Sequence, residues 1–188
     1  MMSAPSTAGV IALLVTQLAA FLALILLASS LHKMFRRDRS QSVIRDFAGV
    51  PRALAPFVAM AVAGTELVAG VLLLRPACRA LGGVLAASIW TMYLGLILRA
   101  IAQGRRDVDC GCTFGVAYRP LGAFQVTRNA VLVGMGALVG VGAVGSIGST
   151  AGVAVIAMET LAALALAALY GALEQVMALT PPRGGVFL

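Results

Sequence analysis

Five stretches of this chain stay apolar for about twenty residues each, near Ala8 to Leu31, Ala53 to Leu74, Leu81 to Ile101, Val126 to Val144 and Thr150 to Leu173. A helix needs about 20 mainly apolar residues to cross a hydrocarbon layer of roughly 30 Å, because each residue advances about 1.5 Å. Runs of this length exceed what a core strand or an ordinary core helix uses. The pattern predicts an all-α fold: a polytopic transmembrane helical bundle with about five membrane-spanning helices, forming a single integral membrane domain over residues 1–188. The first run reads as a retained anchor and not a cleaved signal, since Met1 to Val10 holds no Lys or Arg and the positive charges follow the run.

The polar positions mark the connections. His32 to Arg52 mixes Arg, Asp and Ser with the apolar pairs Val43-Ile44 and Phe47-Ala48, a pattern that predicts a short interfacial helix ended by Pro51. Arg75 to Ala80 is short and carries Pro76, so the second and third spans are expected to be antiparallel neighbours. The longest later connection, Ala102 to Phe124, is punctuated by Gly104, Gly111, Gly115, Pro120 and Gly122, and polar loops of this kind are where function concentrates. Gly145 to Ser149 reads as a tight hairpin. Gly136 and Gly140 have the small-xxx-small spacing that lets helix backbones approach in lipid. The run Gly140 to Gly145 also matches GxGxxG, with Glu159 near the usual distance, but no strand precedes it and the acid lies in an apolar run, so helix packing is the better reading.

Composition agrees with the pattern: 61% of residues are hydrophobic and 11% charged, against roughly 45 to 50% and about 25% in soluble domains. The net charge of +7 matters less than its placement. Lys33, Arg36, Arg37, Arg39, Arg45, Arg52, Arg99, Arg105, Arg106, Arg119, Arg128 and Arg183 fall on one expected face, and only Arg75 and Arg79 on the other. Basic residues near span ends are retained on the cytoplasmic side. The N-terminus is therefore expected outside the cytoplasm, which for a bacterial chain is the periplasmic side of the inner membrane. The charges are read as topology signals and attraction to anionic lipid of the bilayer, with no role in nucleic-acid binding.

Candidate chemistry lies in the long basic loop, in Asp109-Cys110-Gly111-Cys112. Cysteines one residue apart can close a strained disulfide of the labile, catalytic kind, and Gly111 supplies the backbone freedom for the ring. Arg105, Arg106 and Arg119 favour thiolate against the opposing Asp107 and Asp109. Redox work, a two-thiolate site for a soft ion and inert thiols all remain compatible with these residues. One chain cannot fill a four-ligand zinc site, because His32 is its one histidine, which leaves only a site shared between subunits. Cys78 follows the second span at the opposite face, about 30 Å away by span length, and reads as a bystander. Within the membrane, Glu66 and Glu159 are expected at similar depth and able to meet. Together with Thr65 and Thr160, they would either hold a polar head such as a quinone carbonyl, relay a proton, or join helices by hydrogen bonds.

The ordered set His32-Lys33, Phe47 and Pro51, Glu66-Leu67 with Gly70, Gly104, Asp109-Cys110-Gly111-Cys112, Phe114-Gly115 and Arg128-Asn129 resembles the methylamine utilisation membrane protein family MauE, relatives of the small DoxX-like redox-associated membrane proteins. The resemblance implies a maturation factor for methylamine dehydrogenase, making or correcting disulfides of its periplasmic small subunit beside a thioredoxin-like partner of the MauD type. It makes Cys110 and Cys112 the exchanging pair, and leaves Glu66, Arg128 and Asn129 as matched positions without a role. Thr113 adds one residue before Phe114-Gly115 relative to the family pattern. To reset, such a factor would need an external partner or a bound quinone. A soft-metal carrier and a non-catalytic assembly scaffold are the alternatives. The charge rule sets the Cys pair on the cytoplasmic face, whereas the implied substrate matures in the periplasm, so the two expectations oppose each other.

Overall fold

The computed structural model describes residues 7–105, 121–143 and 153–179. Each apolar run forms a helix, and the first linker adds one more. The helices are α1 (Thr7–Phe35), α2 (Arg37–Ala48), α3 (Ala55–Leu74), α4 (Arg79–Ala102), α5 (Ala123–Gly142) and α6 (Val153–Leu179), with a 3-10 turn at Pro76–Cys78. Among the described residues there is no strand. All but α2 are long and apolar enough to cross a bilayer, so the chain is an all-α, multi-pass membrane protein.

The helix ends depart from the expected span ends for identifiable reasons. α1 continues to Phe35 instead of stopping near Leu31, because His32 and Lys33 end the apolar run without breaking a helix. α2 forms as expected but ends at Gly49, not Pro51. Gly49 takes φ 72°, a conformation only glycine adopts cheaply. Its N–H donates to the Arg45 carbonyl at 3.1 Å and that of Val50 to Ile44 at 3.5 Å, closing the helix end. Pro51 serves the next helix, its carbonyl accepting from the N–H groups of Leu54 and Ala55. α5 starts three residues before the expected Val126, and α6 continues past Leu173 to Leu179. The expected hairpin at Gly145 to Ser149 lies outside the described residues.

α1 packs against α3, α5 and α6. Its Ala19, Leu22, Ala23 and Leu26 are buried in one core with Leu73, Trp90, Leu132 and Val139. Phe21 meets Tyr170 of α6 edge to face, with centroids 6.0 Å apart. α4 and α5 form the closest pair. A Cβ on Gly83 would stand 2.5 Å from the Gly140 nitrogen, and one on Gly136 would stand 2.9 Å from the Ala87 nitrogen. The small-xxx-small spacing of α5 is thus used for backbone contact with α4. Side chains such as Leu14, Phe57, Leu138 and Leu169 are exposed on the outside, as lipid-facing positions are.

α2 lies at the end of the bundle against α3 and α4. Phe47 is buried there with Ile97, Ala100 and Leu121. This end also carries the C-termini of α1 and α4 and the N-termini of α3 and α5. The opposite end carries the 3-10 turn, where Arg79 donates to Thr16 Oγ1 at 2.9 Å.

Candidate functional site

Cys110 and Cys112, with Asp109, Gly111, Arg106 and Arg119, lie outside the described residues. The residues on either side are held against the α2 end of the bundle. Exposed Arg105 donates from its guanidinium to the Asp46 carbonyl of α2. Leu121 is buried beside Phe47, and the Gly122 N–H donates to Gln125 Oε1 at 3.0 Å, capping α5.

Deeper in the same half of the bundle is a buried polar cluster. Glu66 of α3 is 1% exposed and its carboxylate is surrounded by donors. Lys33 Nζ donates to both oxygens, at 2.8 and 2.9 Å. The Tyr93 hydroxyl of α4 donates to Oε1 at 2.6 Å and Ser29 Oγ at 3.2 Å. The extension of α1 makes this possible, since Ser29 and Lys33 stand one turn apart on the same helix face and are themselves bonded at 2.6 Å. Lys33 also lies 5.6 Å from the Tyr93 ring centroid, within cation–π range. A second pair joins the last two helices: Arg128 of α5 and Glu174 of α6, 2.7 Å apart and both buried. Asn129 is buried and donates to the Gln125 carbonyl at 2.8 Å. Between the two pairs is a cavity of about 20 Å³, lined by Lys33, Glu66, Trp90, Tyr93, Arg128 and Asn129, among others. A water needs roughly 10 to 15 Å³ of such space, so the cavity suits one water and is too small for a quinone ring. The residues around Glu66 therefore do not fit the quinone head considered from sequence.

Glu66 and Glu159 do not meet. With its carboxamide nitrogen turned towards α6, Gln17 donates to the Glu159 carbonyl at 3.1 Å and accepts from the Ala163 N–H at 2.7 Å, whereas Ser29 of the same helix bonds Glu66. The twelve residues from Gln17 to Ser29 advance about 18 Å along α1. Glu159 instead lies in the field of Arg79 near the 3-10 turn. The two acids stand at different depths because α1 carries Lys33 inward to Glu66, while α6 presents Glu159 towards the other end of α1. Thr65 points outward and bonds its own Val62 carbonyl, and Thr160 is exposed. Cys78 is a half-buried free thiol in the 3-10 turn, at the end of the bundle opposite Arg105 and Leu121. Among the described residues no group of three His, Cys, Asp or Glu side chains could hold a metal.

Sequence reasoning singled out Glu66 and Arg128 but not their partners. Lys33 was counted with the surface charges, and Glu174 stands one residue past the expected end of the fifth span. The available signal was the i to i+4 spacing of Ser29 and Lys33, together with an isolated acid at the end of an apolar run.

A profile of the methylamine utilisation protein MauE family matches residues 10–142, from the first turn of α1 to the end of α5 and without α6. The chain is 29% identical over 120 residues to the methylamine utilization protein MauE of Methylophilus methylotrophus, covering 63% of each protein. It is 26% identical over 122 residues to the protein of that name from Paracoccus denitrificans, covering 65% of this chain and 66% of that one. The chain thus spans just under two thirds of the length of these curated relatives. No solved structure matches it. With the profile covering well over half of its length, the chain belongs to the methylamine utilisation protein MauE family.

Proposed function

We propose that this chain is a membrane thiol–disulfide redox factor of methylamine utilisation, with Cys110 and Cys112 as its exchanging pair. The reading is carried by the run Asp109-Cys110-Gly111-Cys112 in a member of this family. It is supported by the anchoring of both loop ends on the α2 end of the bundle and by the cationic Arg105, Arg106 and Arg119, which favour thiolate. In the exchange, a thiolate of one partner attacks a sulfur of the other's disulfide and forms a mixed disulfide. The remaining thiolate of the attacking pair resolves it. One disulfide and one dithiol are consumed and one of each is produced, so two electrons and two protons pass between the proteins. The substrate of this reading is the disulfide-bearing small subunit of methylamine dehydrogenase, and the resetting partner is a thioredoxin-like protein of the MauD type in the periplasm.

The test is the joint substitution of Cys110 and Cys112 by Ser in a host growing on methylamine. The expected result is normal accumulation of this protein with loss of correctly disulfide-bonded small subunit. Full maturation excludes thiol exchange and leaves an assembly scaffold, and loss of a soft-metal phenotype alone identifies a metal carrier. Sidedness is tested separately: after reduction of intact cells, a membrane-impermeant thiol reagent that labels Cys110 and Cys112 sets the pair in the periplasm, and labelling of Cys78 alone follows the charge rule.

A further inference from the structure

The cluster around Glu66 has a larger neighbour. Between α2 and the helices α3 and α4 is a cavity of about 260 Å³, close to the roughly 300 Å³ at which small-molecule sites begin. Its body is apolar, formed by residues such as Val43, Phe47, Val62, Met92 and Leu96, and its polar end is formed by His32, Lys33, Arg39 and Ser40. Among the described residues no Asp or Glu lines it. Among the described residues, the charges acting on His32 are those of Arg39, Arg36 and Lys33, all cationic, and Lys33 is bound to Glu66. α2 is too short and polar to cross a bilayer and packs beside the ends of the spanning helices, which sets this cavity at headgroup height, where basic pockets between helices recognise acidic lipid heads.

We propose that this cavity binds an anionic phospholipid, with the phosphate at His32 and Arg39 and one acyl chain laid along Val43, Phe47 and Leu96. Charge complementarity selects this occupant. A zwitterionic lipid brings an ammonium group into a cationic mouth, and a neutral isoprenoid quinone uses the apolar body but not the charge. The site is independent of the thiol reading, since neither cysteine of the exchanging pair contributes to it.

The full chain, purified in mild detergent, is titrated with phosphatidylglycerol, phosphatidylcholine or ubiquinone while thermal midpoint and lipid retention by native mass spectrometry are recorded. Phosphatidylglycerol is expected to be retained and to raise the midpoint, and phosphatidylcholine at equal concentration to do neither. Arg39→Gln is expected to weaken phosphatidylglycerol binding roughly fivefold, the effect of about one cation at a lipid surface. Arg39→Lys retains binding, as does Arg52→Gln, a basic residue outside the cavity. Val62→Trp, which fills the apolar body, abolishes retention in protein whose helical circular dichroism matches the parent. Equal binding of phosphatidylcholine, a preference for ubiquinone, or undiminished phosphatidylglycerol binding in folded Arg39→Gln and Val62→Trp overturns the proposal.

Discussion

Lys33 and Glu66 show how differently one residue can read in sequence and in structure. Glu66 is conspicuous in sequence because an acid inside an apolar run needs a reason to be there. Lys33 is inconspicuous because hydropathy assigns any charge at a run's end to the surface. The structure makes them one object, with every Lys33 donor directed to Glu66 or Ser29. Removing one member leaves an uncompensated buried charge, which costs roughly 3 to 5 kcal/mol, whereas replacing both with apolar residues is often close to neutral. Glu66→Met is therefore expected to reduce thermal stability and protein level sharply, and adding Lys33→Met to recover most of the loss. Arg128→Met and Glu174→Met should behave the same way, singly and together. If either double variant is as unstable as the sum of its singles, the pairs are not coupled as the geometry describes.

Among the elements, α4 and α5 are coupled through glycine. The Gly136 and Gly140 spacing was legible in the sequence because a four-residue period is a pattern. Their partner Gly83 was not, since Gly82-Gly83 has no period and nothing in a single chain says which helix is opposite. Gly83→Val is expected to cost about 1 to 3 kcal/mol, because its Cβ would strike the Gly140 backbone, which has no side chain to rotate away. Gly64→Ala is the control. Its Cβ would meet nothing within 4 Å, and removing a helical glycine should stabilise by roughly 0.5 to 1 kcal/mol. Thermal melts of the two variants should shift in opposite directions. α2 was legible from its apolar pairs, but its end was not, because Pro51 outweighs Gly49 as a sequence signal. Gly49→Ala should cost about 1 to 2 kcal/mol for its left-handed backbone.

At the scale of the whole molecule, five spans and their alternation were legible because hydrocarbon thickness imposes a length on each of them. The convergence of α1, α3, α4, α5 and α6 on one small cavity was not, since it depends on helix rotation, which hydropathy does not record. The family match stops at Gly142, yet the counter-charge of Arg128 comes from Glu174, beyond it. A chain ending at Ala143 is accordingly expected to accumulate poorly, and Arg128→Met to restore it in part; equal accumulation of the truncated and full chains would show that α6 does not supply an essential partner. The same pair orders the events of synthesis. α5 leaves the ribosome with an arginine in its second turn, a charge that is costly to release into lipid, and its acid is 46 residues further along the nascent chain. Until that segment emerges, α5 is best held against protein, on the glycine face of α4. The last helix thus sets the moment at which the fifth can be released into the bilayer.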